Sequence, residues 1–413
     1  MDKGNLAIGQ SGGPTAVING SLLGAVEEAL RHPRIGSVLG LVNGIEGALQ
    51  ENLLDLGRQP ASILEGLQRT PASALGSCRR KLSPADYERI LQVFRAHDVR
   101  YFLYIGGNDS MDTSLQIESL ARAEGYDLQV VGIPKTIDND LPRTDHCPGY
   151  GSVARWVAQS VMDIGRDLLS MRTFMQLYVL EVMGRNAGWI AAAASLASRP
   201  ESPLPLVICL PEQPFDRGQF LEQVARRHGE FGCALVVTSE ALRSADGSLV
   251  ADEAADSVVD AFGHKVVYGV GDFLARMIAG ELGLKCRSDR PGTVQRAAMA
   301  CVSPVDQAEA REAGRAAVRL ALEGRSGEMV TLERASDQPY RCTTGAAPLQ
   351  EVANKEKIIP PEFLAPFGVA PAFQGYAAPL IGEPLPDYVT LEPLLAPKLV
   401  MSNESGGKVW ATT

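Results

Sequence analysis

The sequence predicts an α/β protein: two Rossmann-like, three-layer lobes with mostly parallel sheets, plus an irregular C-terminal extension. Three observations carry that expectation. Short apolar runs alternate with helix-length stretches of 3.6-residue period, the pattern of strand–crossover–strand units in a parallel sheet. Glycine-rich or polar turns follow several of those runs directly, after Gly9, Ile105 and Ile133. Beyond about residue 331 the texture changes, and residues 358–388 are rich in proline and short of helical period.

Leu6-Ala7-Ile8-Gly9 reads as a strand, Gln10-Ser11-Gly12-Gly13-Pro14-Thr15 as a turn and residues 16–31 as a helix. Glycines let backbone amides approach an anion, and a helix N-terminus adds partial positive charge. The Walker lysine and the GxGxxG spacing are both missing, so the turn fits a tight β–α connection and a phosphate cradle equally. Residues 36–42 read as a second strand. Leu75-Gly76-Ser77-Cys78-Arg79-Arg80-Lys81 sets three cations after a Gly-Ser turn. That suits an oxyanion site or an exposed basic turn. Residues 100–105 form the next strand, running into Gly106-Gly107-Asn108-Asp109-Ser110 and a helix to about residue 124.

Val130-Val131-Gly132-Ile133 is a short buried strand, followed by Pro134-Lys135-Thr136-Ile137-Asp138-Asn139-Asp140. In open α/β sheets ligands bind beyond the carboxyl ends of the strands. Asp138 and Asp140 alternate with Asn139, so an extended segment would point both carboxylates the same way. One could take a proton while the other holds a metal or orients its partner. A solvated Asp/Asn turn is the plainer alternative.

Residues 148–169 then read as a long helix, 177–182 as a strand, Met183-Gly184-Arg185-Asn186-Ala187-Gly188 as a polar turn and 189–197 as an alanine-rich helix. Residues 204–210 and 234–238 are further strands, the second ending at Ser239-Glu240. Residues 215–228 and 257–279 are helical by period. A second sheet starts near residue 141, where the lobe boundary is placed. Residues 285–296, with Lys285, Arg287, Arg290 and Arg296, form a second cationic cluster. Ser303 and Pro304 suit the N-cap and N1 of a helix over 303–323. One strand is expected near 329–332, and no internal repeat is evident.

Composition narrows the function classes. The chain has 413 residues, 45% of them apolar, enough for two or three domains with a sizeable core. Its formal net charge of −10 argues against nucleic acid as a general partner and supplies no polybasic membrane patch. The seven cysteines are scattered without a CxxC pair, which suits reduced thiols in a cytoplasm. The opening Met1-Asp2-Lys3-Gly4-Asn5 leads into a strand without a signal-peptide apolar region, and no apolar run approaches the ~18 residues of a membrane span.

In this order the stretches resemble the phosphofructokinase family. The matching stretches are Ser11-Gly12-Gly13, Gly76-Ser77-Cys78-Arg79, Gly106-Gly107-Asn108-Asp109-Ser110, Pro134-Lys135-Thr136-Ile137-Asp138-Asn139-Asp140, Met183-Gly184-Arg185, Glu240 and Gly292-Thr293-Val294-Gln295-Arg296. They run over about residues 5–325, roughly three quarters of the chain. The resemblance implies Mg2+-dependent phosphoryl transfer to the 1-hydroxyl of fructose 6-phosphate in a homodimer or homotetramer. By the same resemblance Asp138 is the base, flanked by Thr136, Ile137 and Asp140. Gly12, Arg79 and Ser110 face the donor. Met183, Gly184, Arg185 and Glu240 hold the sugar, and Arg287, Thr293 and Arg296 line its 6-phosphate end. Residues 1–140, completed by about 260–300, would form the donor lobe. Residues 141–259, completed by about 301–330, would form the sugar lobe, and 331–413 an extension of unknown role.

Asp109 and Lys135 bear on the donor. ATP-using relatives in this resemblance carry glycine at both places, and pyrophosphate-using ones carry aspartate and lysine. Asp109 would crowd and repel the α-phosphate of a nucleotide, while Lys135 adds point charge where pyrophosphate offers no ribose or base as anchor. Three departures stand out. Asn108 replaces an aspartate near Mg2+, Gln176 replaces an arginine that reaches a neighbouring subunit's sugar site, and Thr293 replaces histidine or tyrosine. The competing expectations are an ATP- or sedoheptulose 7-phosphate-directed kinase of the same fold, and a non-catalytic sugar-phosphate-binding subunit.

Overall fold

A computed structural model describes residues 3–250, 258–259, 265–266 and 269–397. The first half runs through β1 (Gly4–Gln10), α1 (Ile18–Ala29), β2 (Ile35–Leu41), α2 (Ile45–Leu49), β3 (Leu53–Asp55), α3 (Ala61–Leu67), α4 (Pro84–Ala96), β4 (Val99–Gly106), α5 (Asn108–Ala123) and β5 (Gln129–Pro134). Next come α6 (Tyr150–Met171), β6 (Leu177–Val182), α7 (Trp189–Ala192), β7 (Leu206–Cys209), α8 (Arg217–Phe231) and β8 (Ala234–Ser239). They are followed by β9 (Val258–Val259), β10 (Lys265–Val266), α9 (Val270–Leu282), β11 (Cys286–Asp289), α10 (Val294–Ala297) and α11 (Pro304–Leu322). β12 (Glu328–Asp337), β13 (Tyr340–Pro348), β14 (Leu364–Ala365), β15 (Gly368–Val369) and α12 (Pro371–Ala377) end the described elements.

Two sheets organise these elements, as the α/β expectation requires. The larger has the order β13-β12-β5-β4-β1-β2-β3 and the smaller β11-β6-β8-β7. All pairs in the smaller sheet are parallel, as are β12–β5, β5–β4, β4–β1 and β1–β2 in the larger. The central strands are apolar on both faces because helices cover both. Leu6, Ile8, Leu103, Ile105, Val131 and Ile133 pack with α1 and α11. Their neighbours Ala7, Phe102, Tyr104 and Val130 pack with α4 and α5 on the other face. In the smaller sheet Leu180, Val182, Leu235 and Val237 meet α6 and α7, while Leu177, Val179 and Val236 meet α8 and α9.

Tertiary pairing departs from the expected order in four places. Residues 260–300 were expected to complete the first lobe, but β11 pairs with β6 of the smaller sheet. The helix expected to complete the second lobe, α11, packs instead on α1 of the larger sheet. Glycine permits that crossing: a Cβ at Gly24 would stand 1.9 Å from the Arg311 carbonyl oxygen, and one at Gly314 2.0 Å from that of Ser21. The helix expected over 257–279 is described only as Val270–Leu282, preceded by the antiparallel pair β9–β10. The rest of 257–268 lies outside the described residues.

Finally, the C-terminal stretch is less irregular than its prolines suggest. The strand expected at 329–332 is ten residues long and pairs with β13 to extend the larger sheet. It sits at the sheet's margin, where its outer half alternates exposed and half-buried residues and so carries little apolar signal. All seven cysteines are free. Among the described residues no helix is long and apolar enough to cross a membrane.

Candidate active site

The carboxyl ends of β1, β4 and β5 open onto one cleft of about 830 Å3, faced by the turns after β6 and β8. The turn after β1 is tied down from below. The buried Gln10 side chain donates to Asn19 Oδ1 at 2.9 Å and accepts from the Leu75 amide at 2.9 Å. Ser77 Oγ donates to the Gly12 carbonyl at 2.8 Å, fixing the basic stretch beside the glycine turn.

The turn after β4 is compact because residue 106 has no side chain: a Cβ there would sit 2.0 Å from Ser110 Oγ. Asn108 opens α5, and its Oδ1 accepts from the Asp109 amide at 2.9 Å. Asp109 is exposed at the cleft wall, and Ser110 is buried beneath it.

The Lys135 amide donates to the Gly106 carbonyl at 2.9 Å, and its ammonium donates to the Gly13 carbonyl at 2.7 Å. This one residue therefore joins the three turns. The Asp138 amide donates to Thr136 Oγ1 at 3.1 Å. Asn139 has φ +55°, so the run is not extended as the alternation argument assumed. Both carboxylates nevertheless line the cleft, brought there by the left-handed residue between them. Every residue from 135 to 140 is buried except Asp138, which is left partly open.

Across the cleft, the Met183 amide donates to Gln295 Oε1 at 3.1 Å and the Arg185 amide to Glu240 Oε1 at 3.2 Å. Gly184 adopts φ +147°, and a Cβ there would meet the Ala187 carbonyl oxygen at 2.7 Å, so glycine is required. Arg296 lies over the glycine turn, its guanidinium 3.1 Å from where a Gly13 Cβ would be.

The electrostatics suit proton transfer. Burial, then the neighbouring Asp140, pushes the Asp138 carboxyl up to about 7. Burial likewise raises Asp140 and Glu240. Burial drives Lys135 down to about 8, against the pull of Asp138 and Asp140. Half-buried Arg296 is lowered by desolvation and by Arg79.

The sequence-expected site residues line this cleft, with three exceptions. Gly184 supports the turn from behind. Arg287 and Thr293 are exposed, on the edge strand β11 and just before α10, and do not reach it. Gln176 precedes β6, at the strand end away from the cleft. Ser11, Gly13, Pro14, Cys78 and Gly107 also line the cleft without an expected role, although Ser11, Gly13, Cys78 and Gly107 lie inside the matching stretches and Pro14 follows one. Gln295 likewise had no expected role as the group that holds Met183. Only a 112-residue separation in sequence hid that pair.

A family model described as Phosphofructokinase matches residues 5–321. The chain belongs to the phosphofructokinase family. Among other family members, it is 45% identical over 409 residues to the pyrophosphate–fructose 6-phosphate 1-phosphotransferase of Xanthomonas campestris pv. campestris, covering 95% of this chain and 97% of that one. It is 46% identical over 422 residues to the protein of that name from Methylococcus capsulatus, covering 98% and 100%. A crystal structure of pyrophosphate-dependent phosphofructokinase from Nitrosospira multiformis superposes with a TM-score of 0.85 at 42% identity, covering 95% of this chain and 94% of that chain.

Proposed function

We propose that the chain reversibly transfers a phosphoryl group from pyrophosphate to the 1-hydroxyl of fructose 6-phosphate, giving fructose 1,6-bisphosphate and phosphate. The observation that carries this reading is the Lys135 ammonium, buried and seated on the glycine turn. A fixed positive charge beside a backbone anion cradle favours a short, charge-dense donor. The exposed Asp109 on the same wall repels the further phosphate of a nucleotide triphosphate.

In this reading Asp138 accepts the proton of the 1-hydroxyl as its oxygen attacks phosphorus. The bond to the bridging oxygen breaks, and phosphate leaves. The transition state is met largely by positioning and charge, which Lys135, Arg79 and the Gly12 turn supply on the donor side. Met183, Arg185, Glu240 and Arg296 hold the acceptor. Mg2+ fits the oxygens beside the base: Asp140 and Asn108 would hold it, and Asp138 and Asp140 resist ionising together without a nearby cation. Bound there, the ion would neutralise phosphate charge. Asn108 contributes less than a carboxylate, since its oxygen already accepts from the Asp109 amide.

Arg287 and Thr293 stand outside the cleft of a single chain, which supports a homo-oligomer in which the phosphate end of the sugar site is completed at a subunit boundary. Seven free thiols are consistent with a reducing, cytoplasmic setting. The test is fructose 1,6-bisphosphate formation with Mg-pyrophosphate against Mg-ATP. Turnover with pyrophosphate and little with ATP is expected; turnover with ATP alone would overturn the reading.

A further inference from the structure

The stretch from 356 to 376 belongs to the C-terminal extension, and none of it lines the cleft. Yet it touches both turns that do. On the side of the catalytic run, the Lys357 amide donates to the Asp140 carbonyl at 2.6 Å. The Lys357 ammonium donates to the Thr144 and Asp145 carbonyls at 3.0 and 2.8 Å. Tyr376 adds a bridge: its hydroxyl accepts from Asn139 Nδ2 at 2.9 Å and donates to the Asp145 carbonyl at 2.8 Å. Asn139 is the left-handed residue between the two cleft carboxylates, so Tyr376 grips the run at the bend that aims Asp138.

On the side of the sugar turn, the same few residues act again. Asn186 Nδ2 donates to the Glu356 carboxylate at 3.1 Å, and Trp189 Nε1 donates to the Lys357 carbonyl at 3.1 Å. The Ile359 amide shares Glu212 Oε1 with the Gly188 amide, at 3.1 and 2.9 Å. The Tyr376 ring closes the connection by packing on Trp189, centroids 5.4 Å apart. Lys357 therefore bonds the Asp138 loop through its amide and, through its carbonyl, Trp189, the residue that opens α7 directly after the Arg185 turn.

We propose that residues 356–359 and Tyr376 form a positioning strap that fixes the distance between Asp138 and the sugar turn. The proposal rests on Asp138 being the base. The strap residues touch no reacting atom. They act through Asn139, Asp140 and Trp189, and so set the alignment of base and hydroxyl rather than the affinity of the sugar site. A loosened base lowers turnover steeply while binding contacts persist, since small misplacements cost about 10- to 100-fold.

Tyr376→Phe tests this most directly, because the ring stack is kept and only the hydroxyl bridge is lost. The expected result with Mg-pyrophosphate is a kcat lower by about tenfold or more, a KM for fructose 6-phosphate within about twofold, and a folded protein by melting curve. Lys357→Met, which removes the two ammonium bonds, is the second variant and is expected to show the same kcat-selective loss, with Lys357→Arg restoring part of it. If both Tyr376→Phe and Lys357→Met keep the wild-type kcat, or lose kcat only as far as melting reduces the folded fraction, the strap is overturned while the function stands. A wild-type enzyme inactive with pyrophosphate, or a fully active Asp138→Ala, overturns the functional reading and the strap with it.

Discussion

The ammonium of Lys135, on the turn after β5, donates to the carbonyl oxygen of Gly13, on the turn after β1, at 2.7 Å. Neutral hydrogen bonds do this in many folds, but here the donor is a buried cation that makes this one hydrogen bond among the described residues and has three protons to donate. The bond aims a positive charge across the glycine turn without neutralising it. Burial lowers its pKa to about 8, so at neutral pH most of the charge remains.

Lys135→Met should therefore lower kcat with pyrophosphate by about 10²- to 10³-fold, the usual loss of one preorganised charge. The KM for fructose 6-phosphate should change less than about threefold, because the lysine faces the donor turn and not the sugar turn. Steady-state kinetics in both substrates checks this. An unchanged kcat would remove the lysine from the mechanism.

The pH dependence of kcat/KM follows from two shifts of opposite sense. Asp138 must be deprotonated to accept a proton, and its pKa is raised to about 7, so activity falls as pH drops through that value. Lys135 must be protonated, and its pKa is lowered to about 8, so activity falls as pH rises through that one. A narrow bell between the two is expected. In Lys135→Met the alkaline limb should vanish and the acid limb should stay.

Asp138→Asn should cut kcat by about 10²- to 10⁴-fold, since the amide cannot accept the proton. The melting temperature should hold or rise. Burial and Asp140 both work against the native carboxylate, so an uncharged isostere relieves a cost. A large drop in melting temperature would mean that Asp138 is a structural residue.

His146 offers a prediction about stability. Its Nδ1 faces Asp145 Oδ2 at 2.8 Å and its Nε2 faces Glu309 Oε2 at 2.7 Å. Burial works against a charged ring, but the two carboxylates prevail and its pKa is raised. The stability this contributes is complete below the unfolded-state pKa of about 6.5 and is lost as pH rises through the folded value. Wild-type melting temperature should fall over that alkaline window, and His146→Gln should be flatter there. Parallel curves would exclude His146 as the cause.

Much of the site was legible because its signals are local. An apolar strand, a glycine that lets two chain segments meet, and a polar residue one or two positions later all fall within a short window. Gly106 with Ser110, and Gly12 beside Gly13, are of this kind. Each donor-side turn could be placed at a strand end from its own residues. The fold class was legible for the same reason, since alternating strand and helix periods are properties of each segment.

Whatever depended on pairing between distant segments was not legible. The resemblance assigns Arg287 to the 6-phosphate end of the sugar site, yet β11 carries it on the edge of the smaller sheet. Residues 304–322 read as a helix, but only the close approach through Gly24 and Gly314 assigns it to α1. The hairpin of β12 and β13 gains its order from the edge of β5, a partner nearly two hundred residues away in sequence. Asp138 and Asp140 were recognisable as a pair of carboxylates from their spacing alone. Their shared outlook onto the cleft came from the left-handed Asn139, held by Tyr376 and by the Cys147 amide. The sequence by itself determined which groups stand at the strand ends, because side-chain chemistry and strand period are written locally. Only the tertiary structure decided which of them converge, because hydrogen bonds and burial between remote segments set the backbone angles that aim them.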